Sequence, residues 1–259
     1  MNVLPYLLTG RRPERPDLQR PWRVWDLDSE LRYMPVVRAL PQSTLPICEV
    51  GSGPQGLAIW TPRQIIGVDP GDDDRHGGVD GRPLANFERV RGDGAHIPLA
   101  DGSVAAAVAV DTMEHIPNEH RQAVLEEMQR VTAPGGRVII MGPTGPAAAE
   151  GDALLLERYR QAGWDEGPIV WLGEHLEYGL PTVEELVTGL AIGRASRITA
   201  RGVYNLKLWT TMHRALLGEF PMPRGHHLVH HLVWAPFGAL ARRLRRGPFY
   251  RYLVVADLR

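Results

Sequence analysis

The chain has 259 residues, of which 44% are hydrophobic and 23% charged, a composition that allows a full hydrophobic core without disulfides. Its single cysteine, Cys48, excludes a disulfide framework and any cysteine-rich zinc site, and it suits a reducing, cytoplasmic compartment. The net charge of −1 at pH 7 argues against a dedicated nucleic-acid binder.

Membrane and export signals are not expected. No stretch of the sequence reaches the about 20 apolar residues that a membrane-spanning helix requires. The short apolar patch at Val3–Leu8 is followed by its arginines instead of being preceded by them, so we expect no secretory signal peptide.

Predicted elements alternate between helices and strands. A helix is predicted over Asp28–Leu40, because apolar residues recur there at helical spacing. Five short apolar runs then predict strands: Pro46–Val50, Gln64–Val68, Phe87–Arg91, Val104–Val110 and Arg137–Met141. Most of these runs are apolar on both faces, which is typical of a parallel sheet covered on both sides.

The second half of the sequence predicts further helices and a return to strands. The predicted elements are helices at Asn118–Thr132, Ala147–Ala162 and Thr182 to about Ile192, and strands at Arg197–Tyr204 and Tyr250–Ala256. Thr182 and Glu185 form the capping-box pattern that marks a helix start. We therefore predict one α/β domain over residues 1–259: an N-terminal cap at 1–44, a cofactor-binding core at 45–142, and an acceptor-side lid with C-terminal strands at 143–259.

The densest chemical signal is the segment 47–56, Ile-Cys-Glu-Val-Gly-Ser-Gly-Pro-Gln-Gly. It predicts a buried strand, a glycine turn at Gly51–Gly53 and a helix that begins near Leu57. Such a turn lets the backbone approach a ligand closely, and the helix start favours an anionic or polar group. The spacing also fits a dinucleotide fingerprint in which Asp69 would bind the ribose, so a nicotinamide-dependent oxidoreductase stays open on this motif alone.

Three acidic residues, Glu49, Asp69 and Asp93, lie close to the carboxyl ends of predicted strands. In an open parallel sheet those ends border the ligand crevice, so the three carboxylates are expected to line one cleft. A ligand with a cationic amine, a ribose diol and an adenine amine offers a donor to each of them, whereas Glu49 would repel a pyrophosphate. S-adenosylmethionine carries those groups.

On these residues the sequence resembles the class I S-adenosylmethionine-dependent methyltransferases, in particular the type 11 branch. Besides the Glu49–Gly53 turn, three segments carry the likeness: 97–103 (IPLADGS), 110–117 (VDTMEHIP) and 131–140 (VTAPGGRVII). The likeness covers about residues 45–142. Two departures from the family pattern are Gln55, in place of a third glycine, and Val104-Ala105, in place of the usual Phe-Asp.

The resemblance implies a doubly wound, mostly parallel seven-stranded Rossmann-like sheet and S-adenosylmethionine as cofactor. It implies that Asp69 holds the ribose hydroxyls and that Glu49 fixes the loop or meets the cofactor's amine through water. The complete set of implied cofactor-binding residues is Glu49, Gly51, Ser52, Gly53, Asp69, Asp93, Gly94 and Asp111.

The implied function is methyl transfer to a small-molecule or glycan acceptor, with oxygen as the expected acceptor atom. Two alternatives stay open: a protein that binds S-adenosylmethionine without transferring the methyl group, and the NAD-dependent oxidoreductase. Methyl transfer is a direct displacement, so alignment supplies much of the rate and a general base is optional.

Two histidines, His115 and His175, are the candidate catalytic residues, because imidazole is the side chain whose pKa best suits removal of a proton from an acceptor near neutral pH. Structural alternatives stay open for both: packing at a helix start for His115, and a hydrogen bond within a loop for His175.

The segment 226–246 combines four histidines with a mixture of apolar residues and arginines. The histidines are spaced for zinc binding on a helix, but no cysteine or carboxylate nearby completes a site, so we expect no metal. The remainder of the segment resembles an interfacial helix, which suggests peripheral membrane contact; a helix packed on the sheet with solvated arginines is the alternative.

Overall fold

The computed structural model describes residues 27–53, 55–71, 84–217, 219 and 246–259. Its strands are β1 (Ile47–Val50), β2 (Ile65–Asp69), β3 (Phe87–Arg91), β4 (Val104–Val110), β5 (Thr132–Pro143), β6 (Ala195–Asn205) and β7 (Phe249–Leu258). They form one seven-stranded sheet in the order β3-β2-β1-β4-β5-β7-β6. Strands β1 to β5 are parallel and β7 is antiparallel to both of its neighbours, so the predicted doubly wound, mostly parallel sheet is confirmed.

Six α-helices are present among the described residues: α1 (Leu27–Ala39), α2 (Asn118–Val131), α3 (Pro146–Gln161), α4 (Pro168–Tyr178), α5 (Val183–Ala191) and α6 (Leu206–Leu216). Two short 3₁₀ turns, Gly56–Ile59 and Met113–His115, follow β1 and β4. The capping box predicted at the start of α5 is formed, because the side chains of Thr182 and Glu185 each accept the other's backbone N–H.

The sheet is covered on both faces, because successive side chains of a strand point to opposite sides. On one face, Cys48 and Val50 of β1 pack in a core that includes residues of α2 and α5. On the other face, Ile47 packs in a core that includes Met34 and Val37 of α1. Every residue of β4 is buried, which explains why its sequence is apolar throughout instead of alternating.

A third apolar cluster lies where α3, α4 and α6 meet β6 and β7. Its centre is the stacked pair Trp209 and Tyr250, whose ring centroids are 3.5 Å apart. Tyr250 is fully buried, and its hydroxyl reaches Asp152 on α3. This cluster therefore fixes the positions of the helices that follow β5, the region predicted as a lid.

A helical segment does begin near Leu57, as predicted, but it is not an α-helix. The helical segment is a single 3₁₀ turn that ends at Ile59. Pro62 follows closely, and a proline disfavours helical backbone in the residue before it, here Thr61. Two helices, α4 and α6, were not predicted at all.

Some sequence predictions fall partly or wholly outside the described residues. Residues 220–245 include the four histidines and most of the predicted interfacial segment, so the membrane prediction stays a prediction. Within the described ranges, every helix is too short or too polar to span a lipid bilayer. The division into cap, core and lid also stays a proposal.

Candidate functional site

The candidate site lies at the carboxyl ends of β1 and β4, where the connections leave the sheet in opposite directions. From β1 the chain continues to β2 on one side of β1, and from β4, which lies on the other side of β1, it continues to β5 in the opposite direction. This is the point at which open α/β sheets bind ligands. Thr112, just after β4, donates a hydrogen bond from Oγ1 to the carbonyl of Val50 at 3.0 Å, so the ends of the two strands are tied together.

The glycine turn after β1 depends on its lack of side chains. Gly51 and Gly53 have φ values of 68° and 54°, in the left-handed region that glycine adopts without strain. A Cβ atom on Gly51 would lie 2.5 Å from Cγ2 of Thr112, whereas a Cβ atom on Gly53 would meet nothing within 4 Å. Gly51 is therefore needed for packing, and Gly53 borders open space that a ligand can occupy.

Glu49 lies beneath this turn and is 1% exposed. Its Oε2 accepts the backbone N–H of Leu57 at 2.6 Å, which ties the 3₁₀ turn to β1. Burial raises the pKa of Glu49 from 4.5 to about 8, although the hydrogen bond from Leu57 opposes this rise. The contact supports the first of the two implied roles of Glu49, that of fixing the loop.

Asp69, the last residue of β2, also supports the turn. Its Oδ2 accepts the N–H of Gly53 at 3.1 Å, and its Oδ1 lies 3.4 Å from the N–H of Gly71 and 3.8 Å from Nη2 of Arg89. Ser52, between the two glycines of the turn, is 5% exposed and donates from Oγ to the carbonyl of Gly53. Asp69 thus combines a loop contact with a position at the edge of the crevice.

Asp93 follows β3, the strand next to β2, and is exposed. Its Oδ1 accepts the N–H of Ala95 at 2.9 Å. Gly94 packs tightly, because a Cβ atom there would lie 2.9 Å from Cγ1 of Val50. Glu49, Asp69 and Asp93 therefore lie at the ends of three neighbouring strands, as the sequence predicted; their contacts with a cofactor stay a prediction.

Asp111 has a different environment from the one the sequence suggested. Its Oδ2 lies 2.8 Å from Nη2 of Arg251 and 3.0 Å from Nη1 of Arg32, and its backbone has a φ of 48°. Burial alone would raise the pKa of Asp111, but the two guanidinium groups outweigh it and hold the pKa well below its usual range. The described side-chain contacts of this predicted cofactor ligand are thus both arginines.

His175, on α4, belongs to a buried hydrogen-bonded chain. Its Nδ1 lies 2.8 Å from Oδ2 of Asp152, whose Oδ1 accepts the hydroxyl of Tyr250 at 2.8 Å. This hydrogen bond occupies Nδ1 and orients the ring, so Nε2 is the nitrogen that remains for another contact. Both side chains are nearly inaccessible, at 3% for His175 and 0% for Asp152.

His115, in the 3₁₀ turn after β4, lies next to His175, with ring centroids 4.9 Å apart. Its Nδ1 is 2.7 Å from Oε2 of Glu174, and both side chains are partly exposed. The structure therefore brings together the two histidines predicted as catalytic and pairs each with a carboxylate. A loop contact was the structural alternative for His175, which instead lies on a helix.

Glu114, beside His115, is 1% exposed. Burial, and then the charge of Asp111, raise the pKa of Glu114 well above its ordinary value. Sequence reasoning placed Glu114 only within the range 111–115 beside the acceptor, noted Glu174 only as the neighbour of His175, and did not identify Asp152. Adjacent glutamate and histidine letters at 114–115 and 174–175 were the available signal, but their partners are far apart in the sequence.

The residues present fit S-adenosylmethionine. Gly53 offers an open backbone surface over the turn. Glu49 is a buried carboxyl group without a positively charged partner among its described contacts, which suits a cationic amine, and Asp69 stands at the neighbouring strand end. An ionised Glu49 would repel the negative charge of a pyrophosphate.

Comparison with known proteins agrees with this geometry. Residues 48–140 match the family described as "Methyltransferase domain". Residues 48–140 therefore resemble a methyltransferase domain. The match supports S-adenosylmethionine as the cofactor of this methyltransferase domain and leaves the acceptor undetermined.

Relatives of this methyltransferase domain occur in mycobacteria. An uncharacterized methyltransferase from Mycobacterium sp. (strain KMS) is 33% identical over 126 residues, which cover 44% of this chain and 48% of the relative. The chain thus spans about half the length of the curated relatives that it matches.

Solved structures show the same fold at low sequence identity. A SAM-dependent methyltransferase from Archaeoglobus fulgidus aligns with a TM-score of 0.57 at 16% identity, covering 91% of this chain and 96% of that chain. Geranyl diphosphate C-methyltransferase from Streptomyces coelicolor A3(2), in complex with Mg²⁺, geranyl diphosphate and S-adenosylhomocysteine, aligns with a TM-score of 0.53 at 14% identity, covering 99% and 87%. These similarities establish the fold of the methyltransferase domain.

Proposed function

We propose that the chain transfers the methyl group of S-adenosylmethionine to an oxygen atom of a small-molecule or glycan acceptor. The observation that carries this proposal is the juxtaposition of two different half-sites. The first half-site is the glycine turn with Glu49 and Asp69, and Gly51 of this turn packs against Thr112. The second half-site is the histidine pair, of which His115 lies three residues after Thr112 and contacts His175.

On the cofactor side, the turn at Gly51–Gly53 would support the amino-acid moiety, and Asp69 would accept hydrogen bonds from the ribose hydroxyls. Asp93 and Gly94 would border the adenine. S-adenosylmethionine supplies a methyl group activated by a positively charged sulfur. Glu49 holds the turn in place through Leu57, so the cofactor binds to a surface that is already formed.

On the acceptor side, His115 and His175 would bind the acceptor oxygen. A hydroxyl group must lose its proton when its oxygen becomes methylated, and imidazole nitrogens are suited to hold such an oxygen or its proton near neutral pH. Asp152 fixes the ring of His175 and Glu174 that of His115, so both rings are oriented before the acceptor arrives. This arrangement favours oxygen over carbon as the acceptor atom.

The acceptor class rests on a comparison with a solved structure. The Streptomyces coelicolor neighbour is a C-methyltransferase that holds geranyl diphosphate, a small molecule. A small acceptor also suits this chain, because His175 is buried and His115 is only partly exposed. A glycan hydroxyl fits the same chemistry at an exposed edge of the site.

Incubation of the purified chain with methyl-labelled S-adenosylmethionine and cell extract tests the proposal. We expect label in a small molecule or glycan at an oxygen atom, and loss of labelling in Asp69→Ala and in His175→Gln. The His120→Gln variant is the matched control, because His120 is exposed at the start of α2. Binding of S-adenosylhomocysteine without any labelled product would instead indicate a binding protein, and stabilisation by NAD but not by S-adenosylhomocysteine would indicate an oxidoreductase.

A further inference from the structure

The acceptor side contains a cluster of three potential metal ligands. One ligand atom each from Glu114, His115 and His175 lies within 4.8 Å of those of the other two. Glu114 and His115 come from the 3₁₀ turn after β4, and His175 comes from α4, so two separate elements hold the cluster. Two imidazoles and one carboxylate are a frequent ligand set for divalent transition metals in proteins.

Two members of this cluster have buried polar atoms without a partner in the described part of the chain. Both carboxylate oxygens of Glu114 and Nε2 of His175 are inaccessible and make no hydrogen bond there. An unsatisfied buried polar group costs about 1–3 kcal/mol, and more if it is charged. Because Glu114 and His175 also offer ligand atoms within 4.8 Å of each other, one bound ligand could satisfy both residues.

The carboxylates around the cluster have the arrangement of outer partners in metal sites. A histidine that binds a metal through one nitrogen commonly donates its other N–H to a carboxylate, which orients the ring. His175 contacts Asp152 through Nδ1 at 2.8 Å, and His115 contacts Glu174 through Nδ1 at 2.7 Å. Each histidine therefore has its own orienting carboxylate, and neither of these carboxylates is Glu114.

We propose that Glu114, His115 and His175 bind one divalent transition-metal ion such as Zn²⁺, which holds the acceptor through an oxygen atom. The role of the ion rests on the proposed function; the binding of the ion does not. Mg²⁺ is disfavoured because it prefers oxygen ligands, and two of the three ligands are nitrogen atoms. A metal ion would also give the carboxylate oxygens of Glu114 the direct partner that they do not have among the described residues.

The proposal departs from the sequence-based expectation of no metal. That expectation concerned the histidines at 226–231, whereas this cluster is formed by residues that only the fold brings together. Three protein ligands leave at least one coordination position for an acceptor oxygen. The partly exposed side chains of His115 and Glu174 mark the side from which an acceptor can enter.

Metal binding can be measured without any methyl acceptor. The full-length chain, freed of metal with a chelator, is titrated with Zn²⁺ by calorimetry and with Co²⁺ by visible absorption, whose bands report coordination by nitrogen and oxygen. We expect one equivalent per chain, and an affinity at least tenfold lower in Glu114→Gln and in His175→Gln. His115→Gln, at a partly exposed position, serves if a buried variant does not fold.

Two controls locate the site. His120→Gln removes an exposed histidine and should bind metal like the wild type. The double variant His226→Gln/His230→Gln removes a competing histidine pair and should keep the Co²⁺ bands. The proposal is overturned if the wild type binds no metal, if Glu114→Gln and His175→Gln retain wild-type affinity, or if the double variant abolishes binding.

Titration of the same samples with S-adenosylhomocysteine separates this inference from the proposed function. If the cofactor product binds and Zn²⁺ does not, the metal site fails while the cofactor assignment survives. If Zn²⁺ binds to the cluster and S-adenosylhomocysteine does not bind, the cofactor assignment fails while the metal site survives.

Discussion

The two halves of the candidate site are built in different ways. The cofactor side consists mainly of backbone. Asp69 accepts the N–H of Gly53 in the glycine turn, and Glu49 accepts the N–H of Leu57 in the 3₁₀ turn that follows. The acceptor side consists of side chains from α3, α4, β7 and the turn after β4, paired through hydrogen bonds between distant residues.

This difference separates two kinds of sensitivity. A backbone site tolerates changes in its surroundings but not in its glycines or in the acids that hold it. A network of buried side chains is sensitive at each member, because the loss of one leaves its partners unsatisfied. Variants of the cofactor-side acids should therefore change mainly ligand affinity, and variants of the acceptor-side network should change mainly stability.

The largest expected effect is on cofactor affinity. Asp69→Ala removes both the acceptor for the Gly53 N–H and the proposed partner of the ribose, so we expect at least a thousandfold loss of S-adenosylhomocysteine affinity, about 4 kcal/mol. Calorimetry measures the affinity, and circular dichroism confirms that the fold is retained. Asp165→Ala is the control, at an exposed position. Affinity like that of the wild type in Asp69→Ala would defeat the cofactor assignment.

The second effect is on the stability of the acceptor side. Asp152→Ala leaves Nδ1 of His175 and the hydroxyl of Tyr250 without their partner, so we expect the free energy of unfolding to fall by about 3 kcal/mol. Tyr250→Phe removes only one of these hydrogen bonds and should cost about 1 kcal/mol. Urea denaturation provides both values. Equal losses in the two variants would contradict the proposed chain of hydrogen bonds.

A pair of glycine variants sharpens the contrast within the cofactor side. Gly51→Ala places a methyl group against Thr112 and adds left-handed strain, so we expect about 2–3 kcal/mol of lost stability. Gly53→Ala faces open space and should cost only about 1 kcal/mol, the strain alone. Thermal denaturation without ligand compares the two. Cofactor affinity should fall in Gly53→Ala despite its milder effect on stability, and unchanged affinity would place the cofactor elsewhere.

The smallest effect is a proton release linked to Glu49. Because its pKa in the fold is about 8, Glu49 is mostly protonated at pH 7, and a nearby cationic amine would favour its ionised form. Binding of S-adenosylhomocysteine, which keeps that amine, should therefore release up to about one proton, measured by calorimetry in buffers of different ionisation enthalpy. Glu49→Gln should release none, and an equal release from both proteins would assign the proton to another group.

The same pKa has a consequence for stability. Between the ordinary pKa of 4.5 and about 8, the folded chain keeps a proton that the unfolded chain has already lost. The free energy of unfolding should therefore decrease as the pH rises through this window and level off above it. The contribution of Glu49 is the difference between the pH profiles of the wild type and Glu49→Gln.

The sheet could be predicted from sequence because its strands carry local signals. The bounds of β3 and β4 were predicted at the residues where they occur, and β1 and β2 within one residue. The missed helices had weaker signals that were nevertheless present. Pro168 stands at the first position of α4, where proline is favoured, and Asn205 caps α6 by accepting the N–H groups of Lys207 and Leu208.

The acceptor side could be predicted only in part. His115 and His175 were found as single residues, but their carboxylate partners depend on how α3 and α4 pack against the turn after β4. No periodicity or motif encodes that packing. Glu114 was not singled out within 111–115, because a glutamate inside a polar loop motif gives no indication that the fold will bury both of its oxygens.

The two arginines on Asp111 set a practical limit on how the chain can be shortened. Arg32 belongs to the first described helix and Arg251 to the last strand, so elements from opposite ends of the polypeptide converge on one carboxylate in the middle. A fragment limited to the matched segment, 48–140, would lack Arg32 and Arg251 and would leave the carboxylate of Asp111 without these two positively charged partners. The smallest useful expression fragment therefore has to retain α1 and β7.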